Sequence, residues 1–326
     1  MRDIKFGLFL PTGDFASAKR AALRAESQGF YSVSLNDHFF TPLGPPQTPQ
    51  LECFTTLTAV AAVTSRIRLT PSVAAASFRP PPLLAKITST LDQVSNGRLV
   101  LGLGAGWKQD EYEAHGYPYP SNRERLAQLG ETIKVLKAMW TQETPTFHGH
   151  YFRIDKAYNQ PRPLQQPHPP LMVGGSGSGL LKIAAAEANI INIIPPIFNG
   201  KDFVNDPVAT AQFTTAELKR RIGMLHKFTK EAGRDPQDIE IGCIVFLNLS
   251  RQPADAALGK TAARLGFPDL ETAQRAPVAL MGTPDEVRRE LRARIADSGI
   301  TYYIVAPASA ESQELFVKEV MPEFVR

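Results

Sequence analysis

Short apolar runs alternate with stretches of helical periodicity along this 326-residue chain. The clearest example begins with an apolar, β-branched run at residues 67–73 and ends with an unbroken apolar run at residues 99–103. Between them, apolar side chains recur in steps of three and four, the spacing of one packed helix face: Leu84, Ile87, Leu91 and Val94. Asn96-Gly97 then ends the helix, because glycine adopts a left-handed cap readily. A strand, a helix and a second strand in this order predict parallel pairing through a right-handed crossover.

The same alternation continues through eight apolar runs. They fall at residues 4–10, 31–35, 67–73, 99–103, 171–173, 190–194, 239–249 and 301–305. Eight β/α units close a (β/α)₈ TIM barrel, and loops after the second, fourth and sixth strands accommodate the remaining length. We see no break in composition, so we expect one domain over residues 1–326. The connections are predicted as a loop at residues 108–120, a lid at residues 195–213 and a partly helical segment at residues 253–282.

Composition argues against several functional classes. The net charge is only +4, and the arginines near residue 288 alternate with acidic residues, so we expect no nucleic-acid partner. No apolar run reaches the roughly 18 residues of a membrane span, and no signal region precedes the first strand. The two cysteines, Cys53 and Cys243, lie in an apolar helix and an apolar strand and are predicted to be buried free thiols. Together these features predict a cytoplasmic protein.

A glycine run at residues 174–179 follows one strand and opens one helix. Free backbone N–H groups and the helix dipole converge at such an N-terminus, which favours a phosphate or a similar anion, and Ser176 adds a hydroxyl donor. The alternative is a flexible turn. Gly102, Gly104 and Gly106, by contrast, lack the spacing of a dinucleotide fingerprint. They instead allow another molecule to lie against the backbone.

Catalytic groups of a barrel lie at the carboxyl ends of its strands, and the second strand runs into Asp37 and His38. A histidine there could exchange a proton with a reacting group, or could simply bond to a neighbouring loop. Asp110 and Glu111 are predicted to form a solvated first helical turn. Four nearby aromatic residues could line a pocket for a flat ring or could only pack together: Phe39, Phe40, Trp107 and Tyr112.

His148 and His150 are weak candidates for metal binding. Paired imidazoles can bind zinc, but these two flank a glycine in a predicted turn, and no cysteine or carboxylate cluster accompanies them. We therefore predict no metal site. A metal-dependent barrel hydrolase is the competing hypothesis from a different class.

Many motifs of this chain resemble those of the bacterial luciferase-like flavin oxidoreductase superfamily. They cover residues 4–194 densely and the rest thinly. In chain order they are Gly7-Leu8-Phe9-Leu10-Pro11, Ala25-Glu26, Gly29-Phe30, Asp37-His38, Arg79, Pro81, Leu84-Ala85-Lys86, Leu91-Asp92, Ser95-Asn96-Gly97-Arg98, Gly102-x-Gly104-Ala105-Gly106-Trp107, Glu111-Tyr112, Trp140, Phe147-His148-Gly149, Pro169-Pro170, Gly174-Gly175, Met281-Gly282-Thr283-Pro284 and Tyr302-Tyr303. The resemblance implies a (β/α)₈ barrel that holds FMN or the 5-deazaflavin coenzyme F420 at the carboxyl ends of its strands.

The Asp37-His38 pair and the Ala105-Gly106-Trp107 ending look more like the F420-dependent branch. This resemblance implies a cis peptide bond between Ser72 and Val73, whose bulge backs the cofactor ring. The sugar-phosphate dehydrogenases of the branch carry an acid where this chain has Trp107, so their substrate class does not follow. The remaining implied contacts are with the cofactor phosphate, at Gly174, Gly175, Ser176 and Gly177, and with the ring, at Asp37, Ala105 and Gly106.

We therefore predict an oxidoreductase that transfers a hydride between F420 and a small organic substrate, with His38 as the catalytic residue. An FMNH2-dependent monooxygenase that uses molecular oxygen is the alternative. A flavin-binding barrel without catalysis is a third hypothesis. We also expect a homodimer with no membrane partner.

Overall fold

The chain divides into two units, and each is built of parallel strands linked by helices. The computed structural model describes residues 3–196, 213–253 and 255–325. The N-terminal unit comprises Leu10–Gly174 and Glu187–Asn189, and the C-terminal unit comprises Met1–Phe9, Gly175–Ala186 and Ile190–Arg326. A single domain over residues 1–326 remains a prediction.

All eight predicted strands are present, with ends that differ by a few residues. The strands of the described residues are β1 (Lys5–Phe9), β2 (Ser32–Leu35), β3 (Arg68–Pro71), β4 (Ala74–Ala75), β5 (Leu101–Gly104), β6 (Phe147–His148), β7 (Arg153–Ile154), β8 (Leu171–Gly174), β9 (Ile190–Asn192), β10 (Glu240–Leu249), β11 (Ala279–Gly282) and β12 (Tyr302–Pro307). The α-helices are α1 (Phe15–Ser27), α2 (Cys53–Ala61), α3 (Pro81–Val94), α4 (Gln109–Ala114), α5 (Asn122–Thr141), α6 (Ser178–Glu187), α7 (Thr215–Glu231), α8 (Ala256–Arg264), α9 (Leu270–Arg275), α10 (Pro284–Ser298) and α11 (Ala310–Leu315).

The N-terminal unit is built on short parallel strands. β2 pairs with β3, and β5 pairs with both β4 and β8. A parallel bridge between Leu69 and Leu99 links β3 to the residues just before β5. Leu69, Leu101 and Leu103 are fully buried, as expected for parallel strands that are covered on both faces. The carboxyl ends of these strands therefore lie at one edge of the sheet.

The C-terminal unit has its own parallel strands and an aromatic core. β12 pairs with β1 and β10, and β10 also pairs with β9 and β11. The ring of Phe6 on β1 meets Phe316 edge-on at 5.1 Å between centroids and stacks on Tyr303 at 6.0 Å. Edge-on and offset contacts of this kind are the favoured arrangements of aromatic rings. They anchor β1 against β12 and against the helical segment Phe316–Val320.

Helix starts follow local capping chemistry. Ser121 and Glu124 form a capping box at the start of α5, and Thr283 and Glu286 form one at the start of α10. In such a box two side chains satisfy backbone N–H groups that the helix itself leaves unpaired. Gly299, with φ of 68°, ends α10 in the left-handed conformation that glycine adopts at little cost.

The predicted buried face of α3 is wrong in part. Val94 is 44% exposed, and Ile87 is only half-buried. Polar residues are buried on this face instead, because their hydroxyls form hydrogen bonds within the helix. Thr88 and Ser89 donate to carbonyls of the preceding turn at 2.7 and 2.8 Å. The face that is buried consists of Pro81, Leu84, Ala85, Thr88, Ser89, Leu91 and Asp92.

Two connections contain more structure than the sequence predicts. Residues 108–120, expected to be a loop, include the six-residue helix α4. Residues 253–282 end in the strand β11, whose four residues are too few to show a period. β11 forms because β10 is ten residues long and offers it a parallel partner.

Both cysteines are buried free thiols, as predicted. Burial raises the pKa of the Cys243 thiol to about 12 and also raises the pKa of Cys53, with the charges of Asp37 and Glu52 adding to the effect on Cys53. Both side chains therefore remain in the unreactive thiol form at neutral pH.

Within residues 3–196, 213–253 and 255–325, no helix combines the length and the apolar character needed to cross a bilayer. The predicted lid at residues 195–213 falls almost entirely outside the described residues, which stop at 196 and resume at 213. The lid therefore remains a prediction.

Candidate active site

The segment that follows β2 places His38 beside Glu111 of α4. His38 Nδ1 lies 2.8 Å from Glu111 Oε2. The other oxygen, Oε1, accepts hydrogen bonds from the backbone N–H groups of Phe39 and Phe40, the latter at 3.2 Å. Glu111 is completely buried, so the predicted solvated turn is wrong for this residue. A carboxylate tolerates such burial when several N–H groups donate to it.

Asp37 connects the end of β2 to the segment after β3. Its Oδ2 atom accepts from the backbone N–H of Ala75 at 3.1 Å and from Arg79 Nη1 at 2.7 Å, while Oδ1 accepts from Arg79 Nη2 at 2.9 Å. Burial acts to lower the pKa of Arg79, but the hydrogen bonds and charges of Asp37 and Glu52 outweigh it and raise that pKa. The two-pronged pair keeps the Asp37 carboxylate at a fixed orientation. Its implied contact with a cofactor ring stays a prediction.

The peptide bond between Ser72 and Val73 is cis, as the resemblance implies. The Val73 side chain then occupies the space beside two glycines of neighbouring strands. A Cβ atom on Gly104 would lie 2.9 Å from Val73 Cγ2, and one on Gly174 would lie 2.8 Å from Cγ1. These glycines therefore make room for a side chain of the chain itself. The Ser72 hydroxyl is buried and has no hydrogen-bond partner among the residues that the structure describes.

Gly106 similarly accommodates Tyr112. It has φ of 78°, and a Cβ atom there would overlap the Tyr112 hydroxyl. That hydroxyl lies 2.5 Å from Ser77 Oγ, and burial raises the pKa of the Tyr112 phenol to about 12. Tyr112 is only 1% exposed, so it belongs to the packing and not to the wall of an open pocket. The half-buried Ala105 lies between the two glycines at the end of β5.

The other three aromatic residues lie near His38. The Trp107 ring meets the His38 ring edge-on, with 5.5 Å between centroids. Phe39 is 39% exposed and stacks on His115 at 4.4 Å, and Phe40 lies 5.9 Å from the same imidazole. Trp107 therefore flanks the imidazole of His38, while Phe39 and Phe40 lie against His115.

In the C-terminal unit, the glycine run opens α6 as predicted. Gly177 carbonyl accepts the first helical hydrogen bond, from the Leu181 N–H at 2.9 Å, so Gly177 is the N-cap residue. Gly175 has φ of 137°, which favours glycine. Ser176 is 3% exposed, and within the described part of the chain its hydroxyl has no hydrogen-bond partner. A buried, unpaired hydroxyl beside a helix N-terminus fits the predicted anion site.

A positive charge lies beside this N-terminus. The guanidinium of Arg221, on α7, donates to the Ser176 carbonyl, and its Nε donates to Glu217 at 2.5 Å. Hydrogen bonds from Arg220 and then Arg221 hold the pKa of Glu217 down at about 2. Glu217 thus stays ionised and shares its charge between two arginines. The sequence does not indicate this role for Arg221, since the two segments are 45 residues apart.

The structure distributes the predicted site residues over the two units. The C-terminal unit contains Gly175, Ser176 and Gly177. Glu111 and Arg221 are additional polar groups that sequence reasoning missed, and only Glu111 had a signal, as part of the Glu111-Tyr112 motif. At the strand ends of the N-terminal unit lie Asp37, His38, Ser72, Val73, Ala105, Gly106 and Gly174.

No group of three or more histidine, cysteine, aspartate or glutamate side chains within the described ranges is placed to hold a metal ion. His148 and His150 are both exposed in the β6–β7 hairpin, where His150 packs against Tyr151. They form no metal-binding cluster with the acidic residues described there.

Known proteins resemble this chain in sequence. An F420-dependent glucose-6-phosphate dehydrogenase of Kineococcus radiotolerans is 36% identical over 184 residues, which are 56% of this chain and 53% of that protein. An FMNH2-dependent dimethylsulfone monooxygenase of Pseudomonas putida is 32% identical over 167 residues, which are 51% of this chain and 45% of that protein. The chain thus spans about half the length of these two relatives.

Solved structures resemble it over nearly its whole length. An F420-dependent secondary alcohol dehydrogenase in complex with an F420–acetone adduct has a TM-score of 0.80 at 20% identity, covering 99% of this chain and 98% of that one. This likeness confirms the predicted α/β fold, a luciferase-like TIM barrel. Residues 4–201 match the family model described as luciferase-like monooxygenase. Because that match covers more than half of the residues, the chain belongs to the luciferase-like monooxygenase family.

Proposed function

We propose that the protein is an oxidoreductase that transfers a hydride between coenzyme F420 and a small organic substrate. The observation that carries this proposal is the position of His38 after the end of β2, where its imidazole contacts the buried carboxylate of Glu111. The relative from Kineococcus radiotolerans, an F420-dependent dehydrogenase, supports F420 as the cofactor. His38 is then the catalytic residue.

The residues present fit a phosphate and, separately, a flat ring. For the phosphate, the C-terminal unit offers the unpaired hydroxyl of Ser176 and the N-terminus of α6, with Arg221 nearby. For a ring, the N-terminal unit offers Ser72 and Val73, where the buried Ser72 hydroxyl has no partner among the described residues. Further proposed cofactor contacts are Asp37, Ala105, Gly106, Gly174, Gly175 and Gly177.

The protein contributes a proton site. A bound deazaflavin supplies a carbon that takes or gives a hydride and does not readily activate oxygen. As a carbinol is oxidised to a carbonyl, Nε2 of His38 accepts the hydroxyl proton, and in the reverse reaction it returns that proton to the carbonyl oxygen. An imidazole suits this exchange because it can hold or release a proton near neutral pH.

The surface next to His38 favours an uncharged substrate. Trp107 flanks the imidazole, and the ammonium of Lys108 lies over the Phe40 ring at 5.0 Å. That ammonium already pairs with Asp110 at 2.9 Å. The surface therefore presents aromatic rings, which supports a small uncharged alcohol, ketone or enone over a sugar phosphate.

The second candidate is an FMNH2-dependent monooxygenase, and the relative from Pseudomonas putida favours it. The same hydroxyl and helix N-terminus would bind the phosphate of FMN. A flavin-binding protein without catalysis is the third candidate. The choice among the three rests on which cofactor binds and whether it turns over.

We also propose a homodimer in the cytoplasm. Leu83 and Val94 on α3 are 50% and 44% exposed, and the three helical turns between them place both on one face. Exposed apolar side chains grouped on one face support a protein interface. The two free thiols support a reducing compartment. We expect the mass of two chains in sedimentation, and a Leu83→Glu variant that sediments as one chain.

We expect F420 to bind at least tenfold more tightly than FMN in a fluorescence titration of the purified protein. F420-bound protein should then reduce its cofactor with 2-propanol, or reduced F420 should be oxidised by 2-cyclohexen-1-one without oxygen. FMN binding without F420 binding would establish the second candidate instead. F420 binding without turnover of any alcohol, ketone or enone would favour the third.

His38→Ala should lower kcat by about 10²-fold or more, because the transferred proton loses its site. Cofactor affinity should stay within a few-fold of that of the unmodified protein. His150→Ala is the matched control, since that imidazole lies in the exposed hairpin. A collapse of cofactor affinity with kcat intact would make His38 a cofactor ligand, and no change in either would make it structural.

Gly177→Asp tests the phosphate site. Apart from its chain neighbours, no described residue has a heavy atom within 4 Å of a Cβ placed there, and aspartate is a good N-cap, so the melting temperature without cofactor should not fall. The carboxylate should compete with phosphate and weaken F420 binding at least tenfold, about 1.4 kcal/mol. Gly177→Asn introduces an uncharged cap of the same shape and should reduce the affinity for F420 by less than Gly177→Asp does.

Gly175→Asp would be a poorer test. Its φ of 137° and the approach of a Cβ to Leu180 Cδ1 at 3.0 Å would strain the fold itself.

Equal affinity of F420 for the Gly177→Asp variant and the unmodified protein would show that the glycine run is only a turn. A deazaflavin without phosphate should bind both proteins equally.

A further inference from the structure

We infer that Glu111 is a positioning residue for His38: it fixes which ring nitrogen carries the proton and which is left to exchange one. This inference rests on the proposed role of His38 in proton transfer. Glu111 itself touches neither substrate nor cofactor in this account. It acts only through the imidazole and the backbone of the segment that follows β2.

The hydrogen bonds around Glu111 determine its role. Oε1 accepts from the two backbone N–H groups of Phe39 and Phe40, which can only donate. Oε2 is 2.8 Å from His38 Nδ1. In its carboxylate form Glu111 has no proton to give, so Nδ1 is the donor in this pair. The neutral imidazole of His38 therefore carries its proton on Nδ1 and leaves Nε2 without one.

Burial stabilises the hydrogen bond between His38 and Glu111. Glu111 is 0% exposed, and the His38 side chain is 14% exposed. If the imidazole turned away, Oε2 would be left buried and would lose its hydrogen bond, which is costly inside a protein. The Trp107 ring against the imidazole further restricts rotation.

Other polar groups of α4 have different partners. The side chain of Asp110 pairs with Lys108 at 2.9 Å, and Glu113 accepts from Gln109 on the exposed side of the helix at 2.7 Å. The Tyr112 hydroxyl bonds to Ser77. Glu111 is thus the residue of this helix that bonds to the His38 ring.

The consequence for proton transfer is direct. With Nδ1–H committed to Glu111, Nε2 has a free lone pair that can accept the hydroxyl proton of a carbinol. The imidazolium formed in this step is stabilised by the adjacent carboxylate. In the reverse direction the same Nε2–H gives its proton to a carbonyl oxygen, and the imidazole returns to the Nδ1–H form.

Glu111→Gln gives a sharp test, because glutamine keeps the shape but has one acceptor and one donor at the end of its side chain. The two backbone N–H groups require the carboxamide oxygen. The –NH₂ group then faces Nδ1, which must become an acceptor, so the proton of the neutral imidazole moves to Nε2. We therefore expect the substitution to invert the tautomer of His38.

Nitrogen-15 NMR of histidine-labelled protein, without any cofactor, reads this tautomer directly. The signal of His38 is assigned by its absence in the His38→Ala variant. We expect the Nδ1–H pattern in the unmodified protein, the Nε2–H pattern in Glu111→Gln, and no change in the control Glu113→Gln. The Nε2–H pattern in the unmodified protein, or an unchanged pattern in a folded Glu111→Gln variant, would overturn the inference.

Kinetics with 2-propanol or 2-cyclohexen-1-one provide the second readout. Glu111→Gln should lower kcat by about 10²-fold while KM and F420 affinity stay within a few-fold. An unchanged kcat in a variant whose tautomer has inverted would contradict the positioning role. If the unmodified protein turns over neither compound, the proposed function fails, whereas the tautomer measurement still decides the inference.

Discussion

The carboxylate of Glu111 is the group on which the geometry of the candidate site depends. It joins the segment after β2 to α4 through two backbone N–H groups and one imidazole nitrogen. The carboxylate itself is fully buried, so losing hydrogen bonds to this charged group would be costly. The position of His38, and hence the proposed chemistry, follows from this one side chain.

Close packing against glycine supports the same edge of the N-terminal unit. The Val73 side chain lies against Gly104 and Gly174, and both positions exclude any larger residue. Gly106 admits the Tyr112 hydroxyl in the same way. Because interiors are packed at crystal-like density, a methyl group added at any of these positions would displace its neighbour. The strand ends are thereby held rigid around the predicted ring contacts.

Much of the fold was predictable because its signals are local. The eight predicted strands show as apolar runs, and Asn96-Gly97 marks the end of α3, with both residues at positive φ. Contacts between distant residues were not predictable in this way. Glu111 and His38 are 73 residues apart, so a glutamate on a short helix could only be taken for a solvated one. The buried face of α3 was misassigned because Thr88 and Ser89 satisfy their own hydroxyls within the helix, which a hydrophobic pattern does not reveal.

Among the site residues, too, local signals were predictable and contacts between distant residues were not. Asp37 and His38 could be placed at a strand end from the strand pattern alone. The glycine run at residues 174–179 likewise indicated a helix N-terminus. The pairing of Asp37 with Arg79 and the approach of Arg221 to Ser176 depend on tertiary structure. Sequence reasoning therefore located the candidate groups and left their partners undetermined.

A crystal structure of the protein with bound F420 tests the central claim most directly. The deazaflavin ring should lie against the Ser72–Val73 bond, and His38 should turn Nε2, not Nδ1, toward its hydride-transferring carbon. Between the two there should be room for one substrate carbon–oxygen group, with reacting atoms about 3–3.5 Å apart. A ring bound elsewhere, or a His38 whose Nδ1 faces the ring while Glu111 bonds to another group, would contradict the account.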